Sequence, residues 1–174
     1  LKRYRKAAEQ GNKGAQVNLG DMYDKGQGVT KDYQEAVKWY RKSAEQGHSR
    51  GQYNLGVLYV FGHGVPQDYK TALEWFKLSA EQGYVSAQHN LGVMYSTEQF
   101  GLQDKGYAYM WFSVVESRGK MLLWLYGPRL KERALEQRAS VAGKMTSAEI
   151  SKAQRLAREY VAKNHKEERL NASD

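Results

Sequence analysis

A 36-residue period constrains this chain more than any other feature. The stretch Ala44-Glu45-Gln46-Gly47, Gln52-Tyr53-Asn54-Leu55-Gly56-Val57-Leu58-Tyr59, Gly62-His63-Gly64-Val65, Asp68-Tyr69 and Ala72-Leu73-Glu74-Trp75-Phe76 occurs 36 residues earlier as Ala8 to Gly11, Gln16 to Tyr23, Gly26 to Val29, Asp32-Tyr33 and Ala36 to Tyr40. Most of it returns 36 residues later, as Ala80 to Gly83, Gln88 to Tyr95, Asp104 and Ala108 to Phe112. A fixed period of this size marks a solenoid or array, in which each unit is too small to bury its own apolar face and must stack on its neighbours.

Within one period the spacing predicts two helices. Ala15, Leu19, Met22 and Tyr23 fall at helical intervals over residues 14–25, one apolar stripe of a first helix. Gly20 stands beside Leu19 in that stripe and recurs as Gly56 and Gly92. Glycine inside a helix costs about 1 kcal/mol against alanine, so its return implies close helix–helix approach. Gly26-Gln27-Gly28-Val29 ends the helix, with Val29 as an apolar plug under the loop. Asp32 then caps the second helix, with Glu35 at the spacing of a capping box. Trp39, Trp75 and Trp111 read as core, each worth about 3 kcal/mol on burial. The third repeat drifts: Gly62 and Gly64 are replaced by Glu98 and Phe100, which predicts a different turn there.

After Gly119 the pattern stops. Met121 to Tyr126 is the most apolar run, ended by Gly127-Pro128. It reads as a helical insertion, either buried against its neighbours or available for self-association. A charged helix over about 129–143 follows. Thr146-Ser147-Ala148-Glu149 forms a second capping box, opening a helix to about Asn164 with a polar, frayed end beyond. The domain reading is thus repeats over 1–119, an apolar insertion over 120–130 and capping helices over 131–174. Because Leu1 falls inside a repeat, the chain reads as a fragment or processed form.

Composition excludes several chemistries. There is no cysteine, hence no disulfide, thiolate metal site or cysteine nucleophile. The histidines His48, His63, His89 and His165 are scattered, without metal-ligand spacing. No nucleophile motif is present, and no catalytic residue, cofactor or metal ligand is assigned. No apolar stretch reaches the roughly 20 residues of a membrane span. The net charge of +8 divides unevenly, +3 over residues 1–118 and +5 over 119–174. Alternating charges in the tail suit a solvated helical face.

Leu19-Gly20…Tyr23 with Ala36…Tyr40 resembles the tetratricopeptide pattern. The 36-residue period, Gln16, Gln52 and Gln88 in place of Trp, Ala44 and Ala80 in place of Pro, Gly-x-Gly-Val, the capping Asp and the closing Ala-x-x-Gly together resemble the Sel-one-like repeat family over about residues 1–119. Lys144-Met145-Thr146…Tyr160 is similar to the closing helix of bacterial members. The resemblance implies an all-α, right-handed α/α superhelix of helix-pair repeats with a C-terminal helical cap, used as a protein-binding adaptor rather than an enzyme. It favours a periplasmic or secreted setting. Cysteine-rich members associated with penicillin binding rely on disulfides, so that activity does not carry over.

If the helices sit as in tetratricopeptide repeats, the concave face takes Val17, Asn18, Asp21 and Asp24 from the first repeat. The second gives Tyr53, Asn54, Val57 and Val60 with Phe61 beside them, and the third His89, Asn90, Val93 and Ser96. Asn18, Asn54 and Asn90 would form a ladder whose amides bond a peptide backbone, or would each bond their own repeat. The candidate partner-binding residues are therefore Asn18, Tyr53, Asn54, Val57, Val60, Phe61, His89 and Asn90. The favoured function is a scaffold for a protein or extended peptide. A nucleic-acid-binding helical repeat and a hydrolase-associated subunit are the alternatives.

Overall fold

The computed structural model describes residues 2–118 and 128–171, with side chains described over 4–118 and 129–164. Every element is helical, and no strand occurs among the described residues. In order these are α1 (Lys2–Glu9), α2 (Lys13–Lys25), α3 (Tyr33–Glu45), α4 (Ser49–Phe61), α5 (Tyr69–Glu81), α6 (Val85–Ser96), a 3-10 turn (Glu98–Phe100), α7 (Lys105–Ser117), α8 (Pro128–Ala142) and α9 (Ser147–Asn171). The apolar run 121–126 lies outside the described residues. The contacts divide the chain into one unit over residues 1–87 and a second over 88–174.

In the first unit each neighbouring pair of helices from α1 to α5 packs together. Helix starts are set by side-chain caps. Asn12 accepts from the Ala15 N–H, and His48, one period on, accepts from that of Gly51. Asp32 accepts from the Gln34 and Glu35 N–H groups, and Asp68 from those of Lys70 and Thr71. Glu35 does not complete the expected capping box. Its carboxylate accepts from Lys38 Nζ at 2.9 Å and Trp39 Nε1 at 3.2 Å, while the Asp32 N–H donates to the Tyr23 carbonyl. The indole is a buried donor near the carboxylate, and the Asp32 N–H is already used. Helix ends are set by Gly26 and Gly62, both left-handed with φ near +68°. Val65 packs on the core as a plug.

The core of this unit gathers Val17, Val37, Tyr40, Leu55 and Leu58 in one cluster and Ala8, Ala15, Leu19 and Trp39 in another. The recurring helix glycines make room for one aromatic ring each. A Cβ on Gly20 would stand 2.6 Å from the ring of Tyr40, and one on Gly56 would stand 2.8 Å from that of Phe76. Trp39 is buried, whereas Trp75 is only partly so and packs on the edge of the cluster. The residue after each Trp therefore fills the deepest position, because the glycine notch lies opposite it.

The glutamines that stand in place of Trp form a repeated polar clamp. Gln16 Nε2 donates to the Ala8 carbonyl and Gln52 Nε2 to that of Ala44. Gln46 donates to Gln16 Oε1 and Gln82 to Gln52 Oε1, both at 2.7 Å. Ser43 and Ser79 donate to the carbonyls of Lys13 and Ser49. Ala8 and Ala44 lie in the last turns of α1 and α3, whose carbonyls have no partner within the helix, whereas the serine bonds tie α3 and α5 to the first turns of α2 and α4.

The second unit takes most of α6, the drifted turn, α7, α8 and α9. The turn differs as the sequence predicts: Thr97 precedes the 3-10 turn and Gly101 ends it at φ +67°. Gly92 repeats the notch, with a would-be Cβ 2.5 Å from the Phe112 ring. Both α8 and α9 pack on α7. Ala134, Val141, Ala153 and Ala157 are buried with Trp111, Phe112, Val114 and Val115. Thr146 and Glu149 form the expected reciprocal capping box, which holds the Glu149 carboxyl below the usual carboxylate range. Helix α9 continues to Asn171, past the frayed end expected near Asn164. From Ser147 to Asn171 the sequence holds neither Gly nor Pro, and polarity alone does not stop a helix.

Candidate functional site

The candidate site of the first unit is a groove of about 500 Å³ built from α2, α3, α4 and the loops that follow α2 and α4. Tyr53, Asn54, Val57 and Phe61 line it, together with Asp24, Lys25, Lys31, Tyr33, Tyr40 and His63. Four of the expected residues are thus brought together. Val60 is half-buried beside them, and its carbonyl accepts from Gln67 Nε2. Asn18 is half-buried on α2 outside the groove lining. Val17, expected on the same face, is a core residue at 1% exposure.

The floor is polar and centred on Asp21, which is nearly buried. Its Oδ1 accepts from the Tyr40 hydroxyl at 2.7 Å and from Asn54 Nδ2 at 3.0 Å, and its Oδ2 pairs with Arg50. Burial, with the Asp21 hydrogen bond second, pushes the Tyr40 hydroxyl far above the ordinary tyrosine pKa. Asn54 therefore bonds neither its own repeat's backbone nor open solvent alone. One of its amide hydrogens is committed to the preceding helix pair, and it makes no other hydrogen bond among the described residues. The register places Asp21 on the expected concave face but not at the centre of a polar floor, although the sequence carries a signal for that. Residue 21 is acidic where the matching positions are Val57 and Val93, and Arg50 and Asn54 are placed to meet it.

One wall is a stack of planar groups. Lys31 Nζ stands 4.4 Å from the centroid of Tyr33, Tyr33 stacks on His63 at 4.3 Å, and His63 stacks on Phe61 at 5.7 Å. The loop is held to this wall at Gly64, whose φ of +72° and closeness to the Tyr33 carbonyl (2.5 Å from a would-be Cβ) leave no space for a side chain. Interaction with Tyr33 raises the Lys31 ammonium above the ordinary lysine pKa, and the nearby Asp24 adds to this. At the end of the stack Phe61 is 63% exposed. Tyr53 forms the other side and leans on Phe76 and Tyr84, at 5.7 and 5.1 Å.

His89 and Asn90 belong to the second unit. His89 is not on a surface. It is buried against Phe112, ring centroids 5.9 Å apart, because its place on α6 faces the core that α7 completes. Burial pushes its imidazole pKa down, opposed by Gln137 and Asn90 and reinforced by Arg133. Its Nε2 nonetheless makes no hydrogen bond of good geometry. Among the described residues, no group of three or more His, Asp or Glu side chains could hold a metal ion. No described helix is long and apolar enough to cross a membrane.

Helix pairs repeated at a 36-residue period, each closed on a glycine notch, define a helical-repeat protein. The sequence matches the Sel1 repeat over residues 4–12, 14–48, 49–84 and 85–113. The chain belongs to that family, whose members are generally protein-interaction scaffolds built on a non-catalytic repeat. Two of the solved structures similar to it illustrate the match. One is c5321, a protective antigen present in uropathogenic Escherichia coli strains and displaying an SLR fold, at 28% identity and a TM-score of 0.66, over 94% of this chain and 41% of that one. The other is a Sel1 repeat protein from Oxalobacter formigenes, at 28% identity and a TM-score of 0.68, over 95% and 62%. This chain thus spans less than two thirds of the length of either. Comparison with the curated proteins finds no match.

Proposed function

We propose that this chain is a scaffold whose first unit holds an extended segment of a partner protein along the groove of Tyr53, Asn54, Val57 and Phe61. The observation that carries this reading is the exposed ring of Phe61 at the mouth of a preformed aromatic groove. A singly exposed apolar residue is ordinary on a protein surface, but this ring continues a preformed groove with apolar walls and a few placed polar groups, the usual make-up of a ligand site, and the groove also holds Tyr53, a residue type enriched among interface hot spots. Val60 flanks the contact, and Asn18 is a candidate for its extension within the first unit. Selection of a random peptide library on the intact chain tests the reading. The peptide obtained should lose about 1–3 kcal/mol of binding in Phe61→Ala, a variant expected to lower the melting temperature little, since the ring is mostly exposed and its ring contact among the described residues is with His63 alone. Tyr53→Ala and Asn54→Ala should weaken it as well, but both also lower stability, since Tyr53 packs on Phe76 and Asn54 bonds Asp21. Peptides indifferent to Phe61→Ala but lost with Arg155→Glu would move the site to the C-terminal helices and refute the proposal.

A further inference from the structure

The groove's walls differ in charge as well as in shape. Lys25 and Lys31 both line it and both are exposed, and among the described residues neither is in an ion pair. The acidic groups nearby are partly spoken for. Asp21 is neutralised by Arg50 and accepts two further hydrogen bonds. Asp24 lies close enough to Lys31 to raise its pKa, so one carboxylate faces two ammonium groups. The groove therefore carries a local positive excess on the side where the planar stack begins, and an open ring face at Phe61 where it ends.

Resting on the reading above, we infer that the groove selects a peptide segment bearing an aromatic side chain flanked by carboxylates. The aromatic ring continues the stack Tyr33–His63–Phe61. A ring brings large area at low entropic cost and prefers offset or edge contacts at the spacing this wall already shows. The carboxylates meet Lys25 and Lys31. Pairs formed as water is excluded from a groove are stronger than the same pairs in open solvent. A basic segment is disfavoured by the same two ammonium groups, and such repulsion is what turns a greasy groove into a selective one. The groove's volume of about 500 Å³ accommodates one large ring with its neighbours, within the usual range of ligand sites.

The test is selection of one random peptide library in parallel on the intact chain and on the Lys25→Glu/Lys31→Glu variant, with folding of both checked by circular dichroism. The unaltered chain should enrich Phe, Tyr or Trp next to Asp or Glu. A synthetic peptide of that kind should bind about tenfold more weakly to the double variant and also weaken as salt is raised. The double variant should enrich the same aromatic types next to Lys or Arg, an inversion that a merely structural role for the lysines would not produce. If peptides that depend on Phe61 emerge without acidic bias, or if both proteins enrich the same sequences, the charge selection is overturned while the groove reading stands. If no enriched peptide depends on Phe61, both fall.

Discussion

Gly56→Ala isolates the notch that organises each helix pair. A Cβ at residue 56 would lie 2.8 and 2.9 Å from two carbons of the Phe76 ring and 3.3 Å from the Ala72 carbonyl oxygen. Carbon atoms in good contact are about 3.5–4.0 Å apart, so the overlap approaches an ångström. Phe76 is 1% exposed and has nowhere to retreat. Overpacking of this kind costs about 1–3 kcal/mol, offset by up to about 1 kcal/mol of helix propensity gained on replacing glycine. Gly14→Ala in the same unit is the control. Its Cβ would meet only the Asn12 Oδ1 at 3.4 Å, so it should be neutral or slightly stabilising. Urea unfolding followed by circular dichroism, with slopes compared, should place Gly56→Ala below Gly14→Ala by about 1–3 kcal/mol. Equal midpoints, or a Gly56→Ala protein more stable than its control, would show that the glycine is not required for close approach and that the ring position is wrong.

Three further outcomes follow from the same geometry. Tyr40→Phe removes a buried hydroxyl from Asp21 and should cost about 1–3 kcal/mol in the urea midpoint, while a shift of the Asn54 side-chain amide in NMR spectra reports the loosened floor. Trp39→Ala should destabilise by about 3–5 kcal/mol and Trp75→Ala by clearly less, since Trp39 is buried with its Nε1 bonded to Glu35 and Trp75 is only partly covered; equal losses in thermal melts would contradict this. His48 and His89 both have imidazole pKa values lowered in the fold, by burial first and by nearby cations second. The unfolded chain then binds more protons, so stability is full above about pH 6.5 and falls as pH drops through the folded values. Urea midpoints at pH 7.5 and 5 should show that fall, and His89→Gln should flatten it.

The period, the caps at Asp32 and Asp68, the left-handed glycines and the altered third turn were legible because each rests on local chemistry that one repeat shows and the next repeats. What was not legible depended on which groups meet across helices. Glu35 had the spacing of a capping box, yet the indole of Trp39 and the ammonium of Lys38 took its carboxylate. Trp75 had the size of a core residue, yet the notch at Gly56 admits the ring of Phe76 instead. His89 and Val17 occupied positions assigned to an exposed face by analogy of register, and the helix rotation turns both inward. Of the candidate site, Tyr53, Asn54, Val57 and Phe61 could be named because they fall within about two turns of α4. Lys31, Tyr33 and His63 could not, since they come from a helix start and two loops whose meeting depends on the tight passage at Gly64.

The Asp21 centre ties mechanical cohesion to occupancy. Its partners come from α3 and α4 while it sits on α2, so the groove floor exists only while one helix pair is docked on the next. A segment lying there would clasp both pairs at once. Its binding energy would then oppose their separation, and a bound chain would resist local opening and pulling at this junction more than elsewhere along α2 to α4. Amide exchange in those helices would slow on binding even at positions the partner never touches.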